Sequence, residues 1–338
     1  GQGEILLTGI EPGTYRAVEV DTGDEGHILD TSYQEVELVA GGGTKELIFF
    51  NDIKPGMKLV KVDSSDPSKT IPNAKFRIRA VDGSFGPQEF VTNGSGEIDL
   101  SNLPTGAYEV TEVECAGYVI DDAQRIIHLR ANDRAEFVFT NTKKPGFRLV
   151  KTSADGAPLD GVTFRIAPIG DASRSIDRTT QNGGEILVEG LEPGIYSVQE
   201  TATLPNHILD TTEYHVELSP GKTSELRLSN DKKPGFRLIK TSADGTPLDG
   251  VTFRIARIED GSRYLDRTTK NGGEIFVEDL EPGMWSVTEI ATLPDYILDE
   301  TEHHVELFPN RTSELRLKND KKPLLILSKI DADTQQPI

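Results

Sequence analysis

Lysine, glutamate and asparagine recur along this chain on one clock. Lys61, Lys151, Lys240 and Lys329 are spaced by 90, 89 and 89 positions (151−61, 240−151, 329−240). Asn51, Asn141, Asn230 and Asn319 keep the intervals 90, 89 and 89, while Glu19, Glu112, Glu200 and Glu289 follow at 93, 88 and 89. Buried together, an amine, a carboxyl and a carboxamide form a reactive set. The amine attacks a carbonyl only in its neutral form, which an apolar core favours because the ammonium loses its hydration. A buried carboxylic acid can hydrogen-bond to the carboxamide oxygen, which makes the carbonyl electrophilic, and can then move protons from the amine to departing ammonia. The product is an intramolecular isopeptide bond, and contact within a folded core supplies much of the acceleration. Each set reacts once, with the protein as its own substrate.

The strand pattern gives the reason to expect burial, since side chains alternate faces along a β-strand. Phe147 and Leu149 share a face with Lys151, Tyr196 and Val198 with Glu200, and Leu226 and Leu228 with Asn230. The following repeat has Phe236, Leu238 and Lys240, then Trp285, Val287 and Glu289, then Leu315, Leu317 and Asn319. The preceding one has Met57, Leu59 and Lys61, then Tyr108, Val110 and Glu112, then Phe137, Phe139 and Asn141. Each polar residue is therefore in register with the apolar face. A buried charge must pair, neutralise or react, so each repeat is expected to hold one shared site. A plain hydrogen-bonded ion-pair network, with no covalent bond, is the alternative.

A fixed period implies an array of structural units. The boundaries fall at 1–53 (a partial, C-terminal part), 54–143, 144–232, 233–321 and 322–338 (a partial first strand). Short runs such as FRLVKT, VTFRIA, IYSVQET and ELRLSN are separated by turn clusters such as SADGAP, QNGG and LEPG. Seven or so short strands without a helical stretch predict an all-β chain of tandem antiparallel β-sandwich domains. The junctions NDIKPGM, NTKKPGF, NDKKPGF and NDKKPLL are short and carry a stiffening proline, which predicts a linear rod.

These motifs resemble the Cna B-type (SpaA-like, prealbumin-like) domains of Gram-positive surface proteins and pilins. The resemblance rests on FRLVKTSADGAPLDGVTFRI, GLEPGIYSVQE and LRLSN, and it extends over essentially the whole chain. It implies an Ig-like sandwich with bonds Lys61–Asn141, Lys151–Asn230 and Lys240–Asn319, assisted by Glu112, Glu200 and Glu289 as the catalytic acids. In the partial repeats, Glu19 and Asn51 stand without a lysine, and Lys329 stands without the other two. ETATLPNHIL and EIATLPDYIL lack the family's Gly-Tyr, and Trp285 replaces the tyrosine before Glu289.

Composition narrows the function classes. Of 338 residues, 56 are acidic and 36 basic, a net charge of −20 that argues against nucleic-acid binding. No apolar stretch reaches membrane-span length. The start at Gly1-Gln2 reads as an internal or processed fragment. The single cysteine, Cys115, excludes an intrachain disulfide and reads as a small filler. LPTGA at 103–107 lacks one residue of a sortase signal and reads as a turn. The acidic turns DTGDEG and DSSDPS do not match the EF-hand spacing, and His303 and His304 have no second ligand cluster, so neither cofactor nor metal is expected. The resulting reading is an extracellular stalk or fibre segment of a bacterial surface adhesin or pilin-like protein. Its partners would be neighbouring repeats, with head-to-tail joining of Lys329 to Asn51 of another copy as a further option. A ligand-binding module for a host protein or glycan is the alternative. Small-angle scattering is expected to give an extended particle; a compact one would contradict the proline-junction argument.

Overall fold

The computed structural model describes residues 3–338. Two strands come first, β1 (Gly13–Val18) and β2 (Tyr33–Leu38), paired antiparallel. The second repeat forms β3 (Gly56–Asp63), β4 (Lys75–Ala80), β5 (Gln88–Val91), β6 (Glu97–Leu100), β7 (Gly106–Glu114), β8 (Arg125–Leu129) and β9 (Arg134–Asn141). The third runs β10 (Gly146–Ser153), β11 (Thr163–Pro168), β12 (Ile176–Thr179), β13 (Glu185–Val188), β14 (Gly194–Ala202), β15 (Glu213–Leu218) and β16 (Thr223–Asn230). The fourth runs β17 (Gly235–Ser242), β18 (Thr252–Arg257), β19 (Asp260–Thr268), β20 (Glu274–Val277), β21 (Gly283–Ala291), β22 (His303–Leu307) and β23 (Thr312–Asn319). A single 3-10 turn, Ala172–Arg174, is the one helical element among the described residues. Among the described residues no helix is long and apolar enough to cross a membrane.

Each complete repeat packs a three-stranded sheet on a four-stranded one, β6-β3-β9 against β5-β4-β7-β8 in the second and equivalently in the third and fourth. The first strand pairs parallel with the last, β3 with β9 and β17 with β23, whereas neighbours such as β3–β6, β4–β7, β7–β8 and β17–β20 pair antiparallel. The alternation read from sequence is realised as a one-faced core. In β10 the buried Phe147, Leu149 and Lys151 point inward, and in β14 the buried Tyr196, Val198 and Glu200 do the same. Facing apolar side chains such as Phe164, Ile166 and Leu228 fill the space between the sheets.

The described chain packs as two bodies. One runs through Gly146 and includes Glu189–Pro193 and Leu218–Thr223; the other holds Phe147–Val188, Gly194–Glu217 and Ser224–Ile338.

The lysine strand is held from behind by a turn that only glycine fits. Lys151 N donates to Gly184 O at 2.8 Å, and Leu159 N donates to Lys151 O at 3.0 Å. Gly184 has φ +80°, and a Cβ there would lie 2.1 Å from Lys151 O; Gly273 stands in the same relation to Lys240 O. Replacing Gly184→Ala adds both left-handed strain and a backbone clash. The third repeat is expected to lose at least about 1–3 kcal/mol, seen as one calorimetric transition moved down in temperature. An unmoved transition would show that the turn does not brace the lysine strand.

Candidate functional site

Parallel pairing of the first and last strands brings the amine and the carboxamide onto one face. Lys61 pairs with Phe139 and Asp63 with Asn141, so Asn141 sits one inward position beyond the residue opposite Lys61. Lys240 and Asn319 repeat the offset through Lys240–Leu317 and Ser242–Asn319. The glutamate arrives from the facing sheet. Glu112 lies opposite Phe76, Glu200 opposite Phe164 and Glu289 opposite Phe253. In all three, the register slips immediately before the phenylalanine, and such bulges commonly re-aim a side chain. Trp285, in place of tyrosine, leaves the register intact. Its Nε1 donates to Glu281 O at 3.0 Å, much as the Tyr108 hydroxyl donates to Pro104 O at 2.8 Å.

In the second repeat, Lys61 Nζ donates to Asn141 Oδ1 at 2.6 Å and lies 3.1 Å from Glu112 Oε1. Asn141 Nδ2 donates to both Glu112 oxygens, at 2.8 and 2.9 Å, and Asp121 N donates to Oε2 at 3.1 Å. In the third, Lys151 Nζ donates to Asn230 Oδ1 at 2.6 Å, and Asn230 Nδ2 donates to Glu200 Oε1 at 2.6 Å. Glu200 Oε2 lies 2.9 Å from Lys151 Nζ, an ion-pair contact off the hydrogen-bond direction. In the fourth, Lys240 Nζ stands 2.7 Å from Glu289 Oε2, and Asn319 Nδ2 donates to Glu289 Oε1 at 2.6 Å. There Asn319 Oδ1 is buried without a hydrogen bond.

All nine side chains are buried. Phe76, Phe164 and Phe253 present their rings to the lysines, with Nζ 5.6, 5.6 and 5.4 Å from the centroids. Burial pushes the Lys61 amine below its usual 10.5, ahead of the opposing pull of Glu112. Such an environment favours a neutral, nucleophilic amine. In the second and third repeats this amine touches the carboxamide, while the glutamate touches both the amine and the amide nitrogen. That arrangement can relay a proton between the two nitrogens. The glutamate's place differs from the sequence expectation, which put it on the carboxamide oxygen. It bonds Nδ2 instead, because a carboxylate accepts hydrogen bonds and the amide oxygen already faces the lysine in the second and third repeats.

The partial repeats hold fragments of the same set. Asn51 Nδ2 donates to Glu19 Oε1 at 2.6 Å, and Asp30 N donates to Glu19 Oε2 at 2.9 Å. Lys329 is exposed and lies in no such cluster. Thr203 and Thr292 join the site although strand parity does not mark them: their Oγ1 atoms accept from Asn230 Nδ2 and Asn319 Nδ2, both at 2.8 Å. Aligning the repeats would have marked them, since Cys115, Thr203 and Thr292 each follow the glutamate by three positions. Leu103 of LPTGA is buried, and its N donates to Pro55 O at 2.9 Å. The acidic turns bond internally: Asp24 accepts from the Gly26 amide and Asp63 from that of Ser65. Among the described residues there is no group of three or more side chains placed to hold a metal ion.

The family model described as a SpaA prealbumin-like fold domain matches residues 55–143, 146–232 and 234–321. No curated protein sequence matches the chain. Among solved structures, the Bacillus anthracis TIE protein aligns at 19% identity and TM-score 0.35, covering 87% of this chain and 55% of that one. This chain thus spans about half of that protein's length. A streptococcal ancillary pilin aligns at 19% identity and TM-score 0.35, covering 80% of this chain and 100% of that one. The major pilin subunit of Bacillus cereus aligns at 13% identity and TM-score 0.33, covering 79% and 99%.

The lowered Lys61 value makes a signed prediction for a chain in which Asn141→Ala leaves the amine without its carboxamide. With the folded value depressed below 10.5, the folded chain binds fewer protons than the unfolded one between the two values. The second repeat is expected to gain stability as pH rises through that window and to have none of the gain below it. Denaturation midpoints across the window, against Lys61→Met in the same background, check the sign. Parallel profiles would mean that Lys61 titrates as it does in the unfolded chain.

Proposed function

The chain belongs to the SpaA prealbumin-like domain family, and from that premise we propose that it is a structural stalk or fibre segment on the surface of a Gram-positive bacterium. Each complete repeat is locked by one isopeptide bond: Lys61–Asn141, Lys151–Asn230 and Lys240–Asn319. The observation that carries this reading is the lysine Nζ 2.6 Å from the asparagine Oδ1 inside the buried core of the second and third repeats, with a glutamate reaching both nitrogens.

Lys151 Nζ attacks Asn230 Cγ to give a tetrahedral adduct. Glu200 takes a proton from Nζ and returns one to Nδ2, whose lone pair the adduct has freed. The Cγ–Nδ2 bond breaks, the Nζ–Cγ amide remains, and one ammonia departs. Glu112 and Glu289 play the same part in their own repeats. Each site turns over once, so the chain is not an enzyme acting on other molecules.

The mechanical advantage follows from topology. Tension along the chain enters a repeat at its first strand and leaves at its last. The bond ties those strands directly, across sequence separations of 80 and 79 residues for the first two pairs, so the sandwich between them need not unfold. By analogy with a disulfide closing a loop of that length, the cross-link contributes about 4–5 kcal/mol. Small extracellular domains commonly need such a staple, and a chain with one cysteine cannot supply it by disulfides.

The intact mass of the folded chain is expected to lie three ammonia losses below the sequence mass. Glu200→Ala is expected to remove one loss and leave two. A parent mass equal to the sequence value would reduce the sites to buried ion-pair networks, and three losses in the variant would remove Glu200 as the proton relay.

A further inference from the structure

The carboxamide nitrogen has two N–H groups, and the repeats place them differently. In the third repeat one goes to Glu200 Oε1 at 2.6 Å and Thr203 Oγ1 is a second acceptor at 2.8 Å. The fourth repeats this with Glu289 Oε1 at 2.6 Å and Thr292 Oγ1 at 2.8 Å. In the second repeat the equivalent residue is Cys115, whose thiol interacts with both Asn141 and Glu112, and Asn141 Nδ2 donates to both oxygens of Glu112. Burial raises the Cys115 thiol to about 11, so it stays protonated near neutral pH, and a thiol sulfur is a weak acceptor.

The difference reaches the glutamate. Where threonine takes a share of the amide, the carboxylate divides its work: Oε1 meets Nδ2, and Oε2 meets lysine Nζ at 2.9 Å in the third repeat and 2.7 Å in the fourth. Where cysteine stands, both oxygens are engaged by the amide, Oε2 also accepts the Asp121 N–H, and the lysine contact is a longer 3.1 Å to Oε1. Proton relay needs the carboxyl to address the amine and the leaving nitrogen at once.

We infer that Thr203 and Thr292 are positioning residues for isopeptide formation, and that the second repeat, with Cys115, forms its bond more slowly than the third and fourth. The inference rests on the proposed isopeptide reading. The threonine hydroxyl anchors one N–H of the leaving nitrogen beside the glutamate in both repeats. It also leaves one glutamate oxygen for the amine. As Lys151 Nζ bonds to Asn230 Cγ and Nδ2 departs as ammonia, Thr203 gains and loses no atom; it holds the nitrogen toward Glu200 until the proton has been delivered.

The test follows the full chain after a short pulse of cell-free synthesis, quenched into denaturant at intervals. Intact mass counts the ammonia losses, and cross-linked peptides assign each to its repeat. In the parent, all three bonds are expected, with Lys61–Asn141 the last to complete. Thr203→Val is expected to slow the Lys151–Asn230 bond by about tenfold, the effect of one hydrogen bond on a barrier, with the other two sites as internal references. Thr203→Ser is expected to restore the rate, which a general packing role for the methyl would not predict. The reciprocal change, Cys115→Thr, is expected to speed the Lys61–Asn141 bond and guards against a Thr203 variant that fails to fold. An unchanged rate in folded Thr203→Val, or no gain from Cys115→Thr, would overturn the positioning role. A parent chain without any ammonia loss would instead overturn the isopeptide reading itself.

Discussion

A lysine amine shut away from water is the constraint around which each complete repeat is organised. Lys61, Lys151 and Lys240 are at most 1% exposed, and removing an ammonium from water costs several kcal/mol unless its surroundings replace the hydration. The neighbours are arranged to do so. A glutamate crosses from the opposite sheet, a carboxamide comes from the last strand, and a phenylalanine presents its face. Apolar residues of similar volume would often give a core as stable or more so, so non-covalent stability does not explain the set. The isopeptide bond proposed above gives the amine a use that apolar packing lacks.

That constraint accounts for the topology. The amine and the carboxamide can meet only if the first and last strands are neighbours, and their parallel pairing also sets the offset that brings Asn141 to Lys61. The glutamate must reach across the sandwich, and the register slip before its phenylalanine partner turns the strand at that point. Behind the lysine, Gly96, Gly184 and Gly273 accept from the backbone N–H of Lys61, Lys151 and Lys240. Within each repeat, strand order, bulge and turn all converge on one nitrogen atom.

The repeats vary where the constraint is loose. Trp285 replaces the core tyrosine yet keeps a side-chain hydrogen bond to a carbonyl four residues back. Cys115 replaces threonine beside the carboxamide, and the amide hydrogen bonds redistribute onto Glu112. The partial repeat at the start preserves the Asn51–Glu19 contact although it has no lysine. The glutamate–asparagine contact therefore forms independently of the amine, as expected for a carboxylate accepting from a primary amide.

Much of this was legible in the sequence because periodicity and parity are local. The 89-residue clock announced the array, and alternation along FRLVKT, YSVQE and ELRLSN placed Lys151, Glu200 and Asn230 on the inward face. Alternation follows from the pleat of a single strand and needs no knowledge of its neighbours. Strand pairing is non-local, so the parallel approach of β3 and β9 was not readable within an antiparallel expectation. The glutamate's hydrogen-bond partner was not readable either, because it depends on which carboxamide atom the lysine has already taken. Nor was the part of Thr203 and Thr292, which lie just past a strand end where parity no longer applies. The sequence by itself determined which side chains would be buried, through the two-residue period of the strand. Only the tertiary structure decided which atom of each would face which, because that depends on the pairing of strands roughly 80 residues apart and on the packing of one sheet over another.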